Sequence, residues 1–289
     1  MDSDFSLLIG YQDFEPARRS FNTLTRKTFG LDFEAWYRSG YWTKQYIPYS
    51  LSRDGEVVSS VSVNFMPMTL EGIGLTMVQI GTVMTEPAFR GQGLSRFLME
   101  TVLDEWSQKV DEVYLFANDE VLDFYPRFGF RKSGEVQCAA AVSAGFPLRA
   151  EKVDMERAEN RENVERAIRA TRGVSRFSMN NAGLAMFYLT GPLKEHVMHD
   201  PETGAYLVAS VEGDLLRLED IFCEKAVDLD NAVAAFGPEI RRVIFGFSPC
   251  MNEALERTAC EEEDTTLFVL KNAVDFRAKG LRFPFLSRA

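Results

Sequence analysis

Gly81-Thr82-Val83-Met84-Thr85-Glu86-Pro87-Ala88-Phe89-Arg90-Gly91-Gln92-Gly93-Leu94-Ser95 is the stretch on which the reading of this chain turns. It opens as the end of an apolar strand at residues 75–85 and passes through a turn holding two glycines. Leu94, Phe97, Leu98, Val102 and Trp106 then recur at three- and four-residue intervals, the period of an amphipathic helix. Proline has no N–H to give, so Glu86-Pro87 ends the strand's pairing. Glycine lets backbone come close to a ligand, and the first N–H groups of a helix have no partner within it. With the helix dipole they make an anion site suited to a pyrophosphate.

Outward from this stretch, residues 113–117 are a short apolar run bounded by charge, as in a buried parallel strand. A right-handed crossover sets that strand beside 75–85, with the glycine loop at their shared carboxyl end, where open α/β sheets bind ligands. Upstream, residues 13–29 have helical spacing, followed by the aromatics Phe33, Trp36, Tyr37, Tyr41, Trp42, Tyr46 and Tyr49. Such a cluster either packs a core or cages a cationic or aromatic ligand. Strands at 49–53 and 57–66 are joined by Asp54-Gly55. The second half repeats the outline faintly: a charged helical stretch at 151–172, a hairpin of 205–211 and 215–222, a helix at 229–236, and strands at 242–247 and 266–270. Between Phe222 and that helix stands Cys223-Glu224-Lys225-Ala226, with no glycine loop.

A second motif arrives at the next strand end: Asn118-Asp119-Glu120-Val121-Leu122-Asp123-Phe124-Tyr125-Pro126-Arg127-Phe128-Gly129-Phe130. Together the two motifs resemble the GNAT N-acetyltransferase superfamily. Arg90 and Gly93 match its Arg/Gln-x-x-Gly-x-Gly/Ala loop, and Asn118, Tyr125, Gly129 and Phe130 match its second segment. Ser95 stands where glycine or alanine is usual, and Val121 where alanine is usual. The resemblance implies an α/β mixed-sheet fold, with an acetyl-CoA-binding catalytic domain over residues 1–145. For residues 146–289 it implies a degenerate GNAT-like domain or an α+β unit covering the acceptor cleft.

It also implies roles. Val83, Met84 and Thr85 would offer free strand-edge groups to the pantetheine arm, one N–H polarising the thioester carbonyl. Arg90, Gly91, Gln92, Gly93, Leu94 and Ser95 would hold the pyrophosphate, and Asn118 would position the cofactor or cap its strand. Tyr125, protonated at neutral pH with an ordinary tyrosine pKa of about 10, is the expected general acid for the leaving thiolate. The base is open among Glu71, Glu86, water and the C-terminal carboxylate of Ala289, the last by likeness to Eis-type two-domain acetyltransferases. The expected reaction is acetyl transfer from acetyl-CoA to a primary amine of a small molecule or peptide, by direct attack in a ternary complex. A GNAT-fold protein that senses acetyl-CoA or binds a partner without turnover is the alternative, and O-acetylation stays open.

Composition bounds the rest. The chain has 289 residues, 46% hydrophobic and 26% charged, with a net charge of −11. That charge argues against nucleic acid as a partner, and it is spread evenly over the two halves. No Cys-x-x-Cys pair is present and the two histidines, His196 and His199, lack further ligands nearby, so no metal is expected. No apolar run is long enough to span a bilayer, and the acidic start Met1-Asp2-Ser3-Asp4 is unlike a signal peptide. The expected setting is cytoplasmic, without membrane contact, and homo-oligomerisation is left open.

Overall fold

The computed structural model describes residues 4–142, 147–250 and 255–288. In chain order the elements begin β1 (Ser6–Ile9), α1 (Glu15–Phe29), α2 (Glu34–Arg38), β2 (Tyr46–Arg53), β3 (Glu56–Leu70), β4 (Ile73–Thr85), α3 (Leu94–Trp106) and β5 (Glu112–Ala117). Next come β6 (Arg131–Lys132), β7 (Val136–Ala141), β8 (Glu151–Lys152), α4 (Ala158–Ala170), β9 (Ser175–Met179) and α5 (Ala182–Thr190). The chain continues with β10 (Val197–Asp200), β11 (Ala205–Glu212), β12 (Leu215–Phe222), α6 (Leu229–Ala234), β13 (Arg242–Phe245), β14 (Ser248–Pro249), β15 (Glu256–Ala259) and β16 (Thr266–Val269).

Among the described residues these strands make two sheets. The first runs β1-β2-β3-β4-β5-β16-β6, with β9 beside the far end of β3 and β14 beside β9. The second runs β15-β7-β13-β12-β11-β10-β8. Each contains the same unit: an antiparallel hairpin, a helix crossing over to a parallel strand, and an antiparallel neighbour beyond. In the first sheet the unit is β3–β4, α3, β5 and β16; in the second it is β11–β12, α6, β13 and β7. The α/β mixed-sheet architecture is thus present twice.

The sheets do not follow the halves of the chain. The strand read at 266–270 forms, but it pairs with β5 of the first sheet, while β7 from the first half fills the corresponding place in the second. The stretch 151–172 is not one helix. Glu151–Lys152 pairs with β10, and the Asp154 carboxylate accepts from Glu156 N (3.0 Å) in a turn before α4 begins.

Packing follows the sequence periods. Leu98, Met99 and Val102 of α3 are fully buried against Val61, Val63, Val78 and Val113 on one face of the first sheet. On the other face Phe21, Phe33, Trp36, Trp42 and Tyr46 form an aromatic core. It is closed by α5: Trp36 Nε1 donates to the Gly183 carbonyl at 2.8 Å, and a Cβ on Gly183 would lie 2.6 Å from the Tyr41 carbonyl oxygen. Trp36 and Trp42 therefore pack a core rather than cage a ligand. Further along this face Phe283 stacks on Tyr114, ring centroids 4.2 Å apart, among Phe177 and Phe276. No described helix is long and apolar enough to cross a membrane.

Candidate active site

The site begins with an irregularity in β4. Ser60 lies opposite Met84 but Ser62 lies opposite Gly81, so Val61 alone faces both Thr82 and Val83. This is a β-bulge, which bends a strand and redirects its edge. Thr82 sits at φ +47°, a left-handed conformation costly for a β-branched residue. Its Oγ1 shares a 2.6 Å hydrogen bond with the hydroxyl of Tyr46, which is buried and raised to about 12 by that burial. The bond holds the bulge in register.

Past the bulge the sheet opens. β4 and β5 pair at Met77–Glu112, Val78–Val113 and Gln79–Tyr114, and no pairing between them continues beyond Gln79. Residues 80–85 instead line a cleft of about 880 Å³. Phe116, Asn118 and Tyr125 form its other wall, Thr28, Phe29 and Leu31 at the end of α1 lie over it, and Arg90, Gly91, Gly93, Leu94 and Ser95 form one end.

At that end Gly91 and Gly93 have φ of +77° and +78°, and Gly93 is the N-cap of α3 without any side-chain cap. A Cβ placed on either glycine would meet nothing within 4 Å. Glycine is thus required by backbone angle, and the space above the loop is open. The first N–H groups of α3 face it with the positive end of the helix dipole behind them. Arg90 turns back, its Nε donating to the Thr85 carbonyl at 3.2 Å. Gln92 is exposed and outside the cleft lining. The residues present therefore fit a diphosphate held by backbone.

Tyr125 opens a 3-10 turn and is 6% exposed, packed on Phe124, Phe130 and Phe268. Burial pushes its hydroxyl up to about 12. The hydroxyl makes no hydrogen bond among the described residues. Asn118 is exposed at the end of β5, and its side chain caps nothing. That disposes of the strand-cap alternative.

Two of the proposed bases are not in the cleft. Glu71 occupies the β3–β4 hairpin tip, where its carboxylate takes two hydrogen bonds from Arg176 (2.7 and 3.1 Å). Those bonds hold it below the usual carboxylate range. Glu86 pairs with Lys27 of α1 at 3.0 Å. Ala289 lies outside the described residues; Arg288 before it places its guanidinium 4.7 Å over the Phe116 ring. Phe116 and Phe124 were missed, although the alternation of 113–117 puts Phe116 on the face opposite Val113 and Leu115. Asp264 also lines the cleft, held by Asp119 N at 3.0 Å, a contact across the whole second half that local pattern cannot announce.

Residues 14–133 match the family model described as Acetyltransferase (GNAT) domain. A crystal structure of a probable N-acyltransferase from Enterococcus faecalis superposes with TM-score 0.56 at 14% identity, covering 92% of this chain and 73% of that one. A GCN5-related N-acetyltransferase from Kribbella flavida gives 0.55 at 16%, covering 92% and 71%. Eis1 from Mycobacterium abscessus gives 0.52 at 16%, covering 92% and 72%. The fold is a GNAT fold. The GNAT domain match spans the bulge, the glycine loop and Tyr125, and the structural likeness runs through both sheets. At the corresponding place in the second sheet α6 is only six residues long, and the Asp228 carboxylate caps it through Asn231 N at 3.1 Å. An acidic side chain occupies there what α3 leaves open.

Proposed function

We propose that this chain is an acetyl-CoA-dependent N-acetyltransferase whose acceptor is a primary amine of a small molecule or peptide. One observation carries the reading: a bulged β4 edge, an uncapped glycine loop and a buried, protonated tyrosine share one continuous cleft. Acetyl-CoA supplies the acetyl thioester and departs as a thiolate that needs a proton. The α3 N-terminus and the Gly91 and Gly93 backbone bind its diphosphate, and the unpaired edge of residues 80–85 aligns the pantetheine arm as an added strand. A β4 N–H beside the bulge polarises the thioester carbonyl, the preorganised donor typical of acyl transfer. Tyr125 gives its proton to the thiolate; with a pKa of about 12 it stays protonated across the working range.

The acceptor's proton leaves through water. Asn64 lies fully buried on the sheet face beside Tyr46, and neither of its side-chain amide atoms has a partner among the described residues. Buried polar groups in folded proteins are paired, with ordered water where protein is absent. Waters at these atoms would join the Thr82–Tyr46 pair to form the route. In this reading the second half reaches the cleft through Asp264, and the Asp228-capped helix of the second sheet holds no cofactor.

Thiol release from acetyl-CoA against a panel of amines tests the reading. Turnover with at least one amine is expected, and Tyr125→Phe should lower kcat by about a hundredfold or more while leaving the acid limb of the pH profile in place. That limb reports the acceptor amine, because Tyr125 does not titrate there. Acetyl-CoA binding without turnover across the panel would instead make the chain a sensor.

A further inference from the structure

A second cavity of about 450 Å³ lies at the far end of the long β3–β4 hairpin, lined by Arg176, Arg257, Arg277, Lys279 and Thr258 with short backbone segments between them. Among the described residues four of its wall residues are cations and none is an acid. They come from separate parts of the chain: Arg176 from β9 in the first sheet, Arg257 from the edge strand β15 of the second, Arg277 and Lys279 from the segment after β16. β9 joins β3 at Leu70–Phe177, and Glu71 N donates to the Arg176 carbonyl at 2.7 Å, which fixes the cavity at the hairpin tip. The glycine loop lies past the other end of β4, roughly 40 Å away at 3.4 Å per residue.

This gathering runs against the chain's composition, in which 43 acidic residues face 32 basic ones. Acids are plentiful, yet Arg257, Arg277 and Lys279 make no ion pair among the described residues. Arg176 alone is paired, through both Nε and Nη2, to Glu71 at the rim. The field's effect on an anion is visible in Glu71 itself. The Arg176 hydrogen bonds and charge hold its carboxyl below the usual range, and Lys279 adds to them. Cations brought together without counter-charge repel one another, and an anion between them removes that cost.

We propose that this cavity is an anion site for a small ligand carrying two or more phosphate charges, distinct from the cleft beside β4. Two unpaired guanidinium forks suit bidentate contact with phosphate oxygens, and a lysine adds a point charge. The volume is that of a small-molecule pocket. A chain of net charge −11 repels a long polyanion, so the ligand is a compact condensed phosphate or phosphate ester rather than a nucleic acid. Bound there, it ties both sheets and the segment after β16 together.

The probe is sodium tripolyphosphate, titrated calorimetrically into the full-length Gly93→Glu variant, in which the glycine loop is closed to phosphates. Binding to that variant is expected, weakening at least tenfold on adding Arg257→Ala and Arg277→Ala, and weakening again between 50 and 200 mM salt. Both arginines are exposed, and an unchanged far-UV melt verifies the fold of the triple variant; Lys279→Ala is the milder substitute. No binding to Gly93→Glu, undiminished affinity in the triple variant, or orthophosphate binding as tightly as tripolyphosphate would each overturn the site. None of these outcomes touches the acetyl-CoA reading, which rests on the wild-type cleft.

Discussion

Gly93 shows how much one residue decides. Its φ of +78° is open to glycine at no cost, and its missing side chain leaves the α3 N-terminus bare. Gly93→Glu strains the backbone and sets a carboxylate where a diphosphate would lie. Wild type saturated at a hundred times the dissociation constant of acetyl-CoA should gain about 2.7 kcal/mol of stability. The melt shift should vanish in Gly93→Glu; an undiminished shift would place the cofactor elsewhere. Thr82 is the converse case. Nothing in its identity signals φ +47°, because a β-branched residue is a poor choice for that angle. Only the Tyr46 hydroxyl, a whole strand away, makes it tenable.

At the scale of elements, the opening between β4 and β5 depends on how β5 is anchored. Glu112, the first residue of β5, is fully buried. Its carboxylate accepts N–H groups from Leu270 (3.1 Å), Lys271 (2.7 Å) and Ala273 (2.8 Å), which fastens the strand to the segment leaving β16. Glu112→Ala orphans the Lys271 and Ala273 donors at once, while Leu270 N keeps the Val113 carbonyl at 2.9 Å. A loss of about 3 kcal/mol or more is expected in urea unfolding, and a loss below about 0.5 kcal/mol would mean that water replaces the carboxylate freely. The same scale explains why α3 and α6 differ in use. Both follow the second strand of a hairpin, but Asp228 fills the end of α6 while α3 begins on bare glycine.

For the whole molecule the exchange of β7 and β16 matters most. Each sheet takes a strand from the other half of the chain, so neither can complete its core alone. Around the segment 282–288 the halves are also joined by polar contacts: Arg288 pairs with Glu135 at 3.1 Å, and Arg282 Nη1 donates to the Gln137 side-chain oxygen. Desolvation raises the Glu135 carboxyl against the pull of Arg288. The two sheets should therefore unfold in one transition. Trp36, Trp42 and Trp106 report the first sheet, and the buried thiols of Cys138 and Cys223 report the second. Tryptophan fluorescence and thiol labelling in urea should share one midpoint, and two separated midpoints would show that the sheets are independent.

What the residues determined by themselves was local. The glycine loop, the α3 period, the hairpins and the Asn118–Tyr125 spacing were legible because turn angles and helical or strand periods are set by near neighbours in the chain. The tertiary structure alone decided the partner of the strand at 266–269, the core role of Trp36 and Trp42, the removal of Glu71 and Glu86 from the cleft, and the approach of Asp264 to it. Each of these depends on which surfaces meet after folding, and residues that far apart in the chain, from 59 positions for Lys27 and Glu86 to 147 for Trp36 and Gly183, carry no local periodicity that records their meeting.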